Sequence, residues 1–134
     1  MWGSALGQKK LKLKTQTYIL ISDGESNEGS IWEAALLAPK LGLDNLTVII
    51  DNNDWQCMGN SSKITSIEPL ADKWLSFGWE VQEVDGHNLL NITQSLDKLP
   101  FKKNKPSVII AKTITGRGIK LIEDQLLAHY KVFN

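Results

Sequence analysis

Four runs rich in Val, Ile and Thr punctuate the chain at residues 17–22 (TYILIS), 46–51 (LTVIID), 79–84 (WEVQEV) and 107–112 (SVIIAK). β-Branched residues in runs of this length predict strands. Three are apolar almost throughout, the pattern of strands covered on both faces, whereas 79–84 alternates and is expected at a sheet edge. Helical spacing fills the gaps. Residues 28–41 place Ile31, Ala34, Ala35 and Ala38 on one face, with Pro39 ending or bending the last turn and Gly42 as the stop. Residues 68–77 and 89–99 are shorter amphipathic candidates, the second closed by Pro100. Strands alternating with helices predict an α/β fold, a parallel sheet with helices on both faces. Residues 2–13 read as the second half of a helix leading directly into the first strand. An α/β domain rarely starts so, and the expectation is an N-terminal segment beyond this chain or equivalent structure from a partner.

Composition narrows the picture. The 134 residues fit one domain, 1–134, with room for a hydrophobic core, and 42% hydrophobic with 22% charged residues is an ordinary globular balance. Fifteen Lys plus Arg against fifteen Asp plus Glu leave no net field to hold nucleic acid or an anionic membrane. Anion recognition must then come from local geometry. The lone Cys57 makes neither an internal disulfide nor a thiolate zinc site; it reads as a small buried residue, and a reducing cytoplasm is the expected compartment. The N-terminus has its lysines after a short apolar stretch, the reverse of a secretory signal, and no apolar run approaches a membrane span. Trp32, Trp74 and Trp79 read as packing residues, and Lys102, Lys103 and Lys105 as a solvated turn.

The chemistry gathers after the first strand, where Ser22-Asp23-Gly24-Glu25-Ser26-Asn27-Glu28-Gly29 opens into a helix. Ligands of open parallel sheets sit at the carboxyl ends of strands. Gly24 lets backbone approach an anion closely, and the N–H groups at the next helix start point outward. Asp23, Glu25 and Glu28 would repel a bare phosphate, a conflict that a divalent cation with oxygen ligands removes. The second strand ends in Asp51-Asn52-Asn53-Asp54-Trp55-Gln56, again oxygen donors past a carboxyl end. Asp23 and Asn53 are 30 residues apart, about one strand–helix–strand unit. An EF-hand over 23–34 fails, because its sixth position is Glu28 and its twelfth Ala34. Gly116-Arg117-Gly118 lacks the spacing of a nucleotide fingerprint.

The stretch SDGESNEGSIWEAALLAPKLGLDNLTVIIDNN resembles the thiamine diphosphate motif, which begins Gly-Asp-Gly and ends in Asn-Asn or Asp-Asn. The Glu-Gly-x-x-Trp-Glu-Ala variant is that of transketolases, particularly their split N-terminal subunit. Asp85-Gly86-His87-Asn88 and Lys112-Thr113-Ile114-Thr115-Gly116-Arg117-Gly118 extend the resemblance, which spans nearly the whole chain. It implies the thiamine-diphosphate-binding fold, with Asp23 and the Asn53 amide as Mg²⁺ ligands and Trp55 a ligand through its carbonyl. Gly24 and Glu25 would offer N–H groups to the diphosphate. Glu28 would orient the cofactor or communicate across a subunit interface, and His129 would approach the diphosphate or substrate as the catalytic candidate.

Ser22 departs from the family's first glycine. The family's histidine-bearing and glycine-rich loops precede the point where this chain begins, an N-terminal truncation by that pattern. The pyrimidine-binding domain with its activating glutamate is also absent. The resemblance therefore implies two-carbon ketol transfer between sugar phosphates, with thiamine diphosphate and Mg²⁺, in an oligomer with a C-terminal, pyrimidine-domain subunit. Two alternatives stay open. One is an E1-type 2-oxoacid dehydrogenase component; the other is a catalytically silent homologue acting in assembly or regulation.

Overall fold

The computed structural model describes residues 2–130. Helix α1 (Trp2–Lys10) leads by an irregular connection to strand β1 (Thr17–Ser22), and a 3₁₀ turn (Gly24–Asn27) precedes α2 (Gly29–Lys40). There follow β2 (Leu46–Asn52), a short hairpin of β3 (Trp55–Gln56) and β4 (Gly59–Asn60), α3 (Ser61–Ile64), α4 (Leu70–Ser76), β5 (Glu80–Asp85), α5 (Leu89–Asp97) and β6 (Ser107–Lys112). A second 3₁₀ turn spans Leu126–His129. The four long strands form one parallel sheet in the order β1-β2-β6-β5.

Strand periodicity divides the sheet into two faces. Ile21, Val48, Ile50, Val108 and Ile110 belong to the main core with Ala5 of α1, Ala35 and Ala38 of α2, and Leu70 and Trp74 of α4. Ile109, Ala111 and Val84 make a smaller core on the other face with Ile92 and Leu96 of α5. The tryptophans are packing residues, as expected. Trp74 meets Trp79 edge-on at 4.7 Å and Trp32 at 5.6 Å, and Trp79 Nε1 donates to the Ala35 carbonyl at 2.7 Å. A large side chain buried in this way stabilises the fold by roughly 1.5–3 kcal/mol.

The strand at 79–84 does lie at a sheet edge, shifted by one residue because Trp79 is drawn into the core. The first strand differs from expectation. Tyr18 is 54% and Leu20 72% exposed, so only one face of β1 is covered. Its apolar run cannot reveal this, since the smaller core beneath α5 takes in β5, β6 and Ile49 of β2 and no residue of β1. Helix α1 stops at Lys10, three residues before the expected end, and Lys12 adopts a positive φ of 55°. Pro39 lies inside α2, one residue before its end. Helix α4 starts at Leu70 because Pro69 holds extended backbone at its N-cap. Cys57 is exposed rather than buried, as it sits with Met58 at the hairpin turn between β3 and β4. The lysine turn is exposed at Lys102 and Lys103, as expected, while Lys105 and Lys102 reach Glu80 at 2.8 and 3.8 Å.

Candidate functional site

Register sets the site. Ser22 pairs with Asp51 across β1 and β2, so the loops after both strands leave the sheet side by side. The Asp23 N–H donates to the Asp51 carbonyl at 3.0 Å and pins the first loop to the second. The Asp23 carboxylate is fully buried: Oδ1 accepts the Gly24 N–H at 2.7 Å, and Oδ2 has no partner among the described residues. Burial pushes its carboxyl above the usual range. The Gly24 N–H, which is hydrogen-bonded to it, and the Asp54 N–H and Ser61 hydroxyl, which lie close without hydrogen-bond geometry, pull it down, while the Asp51 charge pushes it further up. An unpaired buried carboxylate oxygen is costly, and a cation is the partner that relieves it.

Asn53 is held beside it. Its Nδ2 donates to Asp51 Oδ2 at 3.1 Å and its Oδ1 accepts the Trp55 N–H at 2.8 Å. An amide oxygen retains a second lone pair. The Thr113 hydroxyl donates to Asp51 Oδ1, so the strand end after β6 braces the residue that aims Asn53. Trp55 is half-buried, and its indole N–H donates to Asp124 Oδ1 at 2.8 Å; Tyr130 Oη donates to the Cys57 carbonyl nearby. The C-terminal strap thus ties down the β3–β4 hairpin. Gly24 is required by packing, since a Cβ there would lie 2.9 Å from Gln56 Cβ.

Two further residues of the donor run after β2, Asp54 and Gln56, and Ser61 of α3 complete the arrangement. Asp54 has φ 60°, and its carboxylate accepts Ser62 N–H at 2.8 Å, Ser62 Oγ at 3.0 Å and Asn60 Nδ2 at 3.3 Å. This clamp places buried Ser61 beside Asp23. Ser61 Oγ and Gln56 Nε2 are buried with no hydrogen-bond partner among the described residues. A polar residue in the left-handed region directly after Asn53 is a turn signal that sequence can suggest. Nothing in the sequence marks Ser61.

The other expected residues are less enclosed. Glu25 is exposed; its N–H donates to Ser22 Oγ at 3.1 Å and its Oε2 accepts the Ser22 N–H at 2.9 Å. Both N–H groups expected to face the diphosphate, Gly24 and Glu25, therefore have acceptors within the loop. Glu28 is exposed at the N-cap of α2 without a side-chain capping bond. His129 is exposed in its 3₁₀ turn, 6.3 Å from the Tyr130 ring. His87 Nε2 accepts the Ile114 N–H at 2.7 Å and so ties the loop after β5 to the loop after β6.

The Asp23 carboxylate, the Asn53 amide and the Trp55 carbonyl are hard-oxygen donors of the kind that suits Mg²⁺, and the orphaned Asp23 oxygen is compatible with such an ion. Among the described residues no cluster of three His, Cys, Asp or Glu side chains offers another metal site. An apolar cavity of about 220 Å³ lined by Trp2, Ile19, Ile31 and Val48 lies away from this loop cluster, and no charged side chain lines it.

A parallel α/β sheet with polar loops at the carboxyl ends of β1 and β2 defines a class of domains that take phosphorylated cofactors there. The chain belongs to the transketolase family: residues 7–131 match the family described as "Transketolase, thiamine diphosphate binding domain". It is 42% identical over 127 residues to the 6-deoxy-6-sulfo-D-fructose transketolase subunit SqwG of Clostridium sp., covering 95% of this chain and 46% of that protein. With an apulose-4-phosphate transketolase subunit of Actinobacillus succinogenes it shares 42% identity over 130 residues, 97% of this chain and 47% of that one. The chain thus spans about half the length of these relatives. The transketolase structure from Campylobacter jejuni superposes with a TM-score of 0.87 at 29% identity, over 94% of this chain and 21% of that one. The fold is the thiamine-diphosphate-binding α/β fold of transketolases, as the sequence resemblance implied.

Proposed function

We propose that this chain, as one diphosphate-binding domain, binds Mg²⁺ and thiamine diphosphate and serves within a split transketolase. The reaction is transfer of a two-carbon ketol unit between sugar phosphates. The observation that carries the proposal is the buried Asp23 carboxylate, one oxygen unpartnered among the described residues, beside Gly24 and Asn53. Side chains of Asp23 and Asn53 and the Trp55 carbonyl hold the metal. Gly24 and Glu25 turn to the diphosphate the N–H groups that Asp23 Oδ1 and Ser22 Oγ hold in its absence, Glu28 serves orientation or the subunit interface, and His129 acts near the diphosphate or substrate. Bound thiamine diphosphate supplies the carbanion stabilisation that ketol transfer requires. This chain's residues fix the diphosphate end and exclude water from the buried carboxylate. The partner supplies the pyrimidine domain, a reading supported by relatives named as transketolase subunits.

Calorimetry with thiamine diphosphate and Mg²⁺ tests the site. Binding by the wild-type chain and its loss in Asp23→Ala and Asn53→Ala is the expected result; unchanged affinity in both variants overturns it. The purified chain is expected to be inactive until a pyrimidine-domain subunit is added. Exposed Leu36 on α2 and Leu20 on β1 suit a subunit contact, which Leu36→Glu should weaken in sedimentation. Ala35, one residue before Leu36 on α2, faces the core instead of that contact. It is 1% exposed in the main core, so a charge there would disrupt the fold instead.

A further inference from the structure

Six buried side-chain polar atoms lack a hydrogen-bond partner among the described residues, and three of them, Asp23 Oδ2, Gln56 Nε2 and Ser61 Oγ, crowd the same loop cluster. Asp23 is an acceptor awaiting a cation. Gln56 is the opposite case: a buried donor for which the described residues supply no acceptor. Its Cβ packs where a Gly24 side chain would be, and its Oε1 lies 3.7 Å from that same point. The carboxamide therefore lies against the glycine turn and makes no side-chain hydrogen bond to any described residue. A buried N–H left unpaired is destabilising, and native structures keep few of them.

We infer that Gln56 is a further cofactor-binding residue, donating a carboxamide N–H to an oxygen of the bound diphosphate. The inference rests on the proposed function, which puts a diphosphate at Gly24, and it assigns the orphaned donor to the orphan's chemical complement. A diphosphate offers only acceptors. The surrounding carboxylates of Asp23, Asp51 and Asp54 offer negative charge already claimed by Ser62, Thr113, Asn53 and, in the proposal, the metal. A neutral amide adds a donor without setting a second cation against Mg²⁺.

Gln56→Met keeps length and packing against Gly24 while removing the donor, and Gln56→Glu keeps shape while adding repulsion. Calorimetry with Mg²⁺ and thiamine diphosphate should show Gln56→Met binding about tenfold more weakly than wild type, with Gln56→Glu weaker still. Inorganic pyrophosphate with Mg²⁺ should show the same wild-type to Gln56→Met ratio, because the contact is to the diphosphate. The ligand-free Gln56→Met chain should melt at or above the wild-type temperature, since a buried unpaired donor is gone. A side chain that merely packs the hairpin would move these readouts together, lowering melting temperature and affinity in both variants. That outcome overturns the inference, as does wild-type affinity in Gln56→Met or a loss seen with thiamine diphosphate and not with pyrophosphate. A wild-type chain that binds neither ligand removes the functional proposal itself, which is a different result from a binding wild type with a silent Gln56→Met.

Discussion

At the amino ends of the strands, Asp44 receives Lys9 Nζ at 2.6 Å and the Asn104 N–H at 2.9 Å, while Glu80 receives Lys105 at 2.8 Å. At the carboxyl ends, Asp23 is buried with one oxygen unmet, and Gln56 and Ser61 are left in the same condition. Three further buried atoms lack a partner among the described residues: Trp74 Nε1 on α4, Ser95 Oγ on α5 and Asn45 Oδ1, the last on a side chain whose Nδ2 is already bonded to the Ala5 carbonyl at 2.9 Å. One sheet thus carries polar loops at both ends with opposite outcomes. Matched charges tie α1 to the connection before β2 and the turn before β6 to β5; the unmatched groups at the carboxyl end are the ones the proposed function assigns to a ligand.

Removing the charge at Asp23 should erase this contrast and have the greatest consequence. Asp23→Asn keeps the shape of the side chain, so affinity for Mg²⁺ with thiamine diphosphate should fall by at least about a hundredfold, given that even residues supporting metal ligands are worth 10–100-fold. The ligand-free variant should nevertheless be more stable than wild type at neutral pH. The sign follows from burial, which raises the Asp23 pKa above 3.8. A raised carboxyl contributes stability that is fully present below the unfolded value and lost as pH rises through the folded one. The stabilisation by Asp23→Asn should therefore be visible in urea melts at pH 7 and shrink as pH approaches 3.8. A destabilised Asp23→Asn at pH 7 would mean that the carboxylate is already satisfied.

A second variant probes how the carboxyl end is braced. A Cβ on Gly86 would lie 2.4 Å from Thr113 Cγ2 and 3.0 Å from the Lys112 carbonyl oxygen. Thr113 braces Asp51, which aims Asn53. Gly86→Ala should cost about 1–3 kcal/mol, as overpacking does, and should also weaken metal-dependent cofactor binding. Thermal melts and calorimetry on the same preparation check both. Lost stability with unchanged affinity would detach the loop after β5 from the site.

Much of this organisation was legible in the sequence. The strands at 17–22 and 107–112 stand where their β-branched runs place them, and the Asp23 to Asn53 spacing brings two loops together as a strand–helix–strand unit should. The rest depends on contacts between distant residues. The exposed face of β1 depends on how far α5 reaches across the sheet, which the apolar run TYILIS cannot encode. Exposure of Cys57 follows from a hairpin of two-residue strands, too short to leave a periodic signal. The unpartnered amide of Gln56 exists only because the hairpin folds back on Gly24.

The mildest change belongs to the amino end, where the charges are already matched. Burial alone would raise the Asp44 carboxyl, yet hydrogen bonds from Lys9 and the Asn104 N–H, with the Lys9 charge, outweigh it and hold the carboxyl below its usual range. A lowered carboxyl contributes stability that is present above the unfolded value of 3.8 and lost as pH falls through the folded one. Asp44→Asn should therefore destabilise the chain at pH 7, by no more than about 1 kcal/mol because the pair is partly solvated. The cost should fade on acidification. Its pH dependence opposes that of Asp23→Asn: both differences shrink toward acid, one as a loss and the other as a gain. Cofactor affinity should be unchanged in Asp44→Asn, because Asp44 lies at the other end of the strands. An altered affinity, or a destabilisation that persists well below pH 3.8, would show that the two ends are coupled through the sheet and are not separate devices.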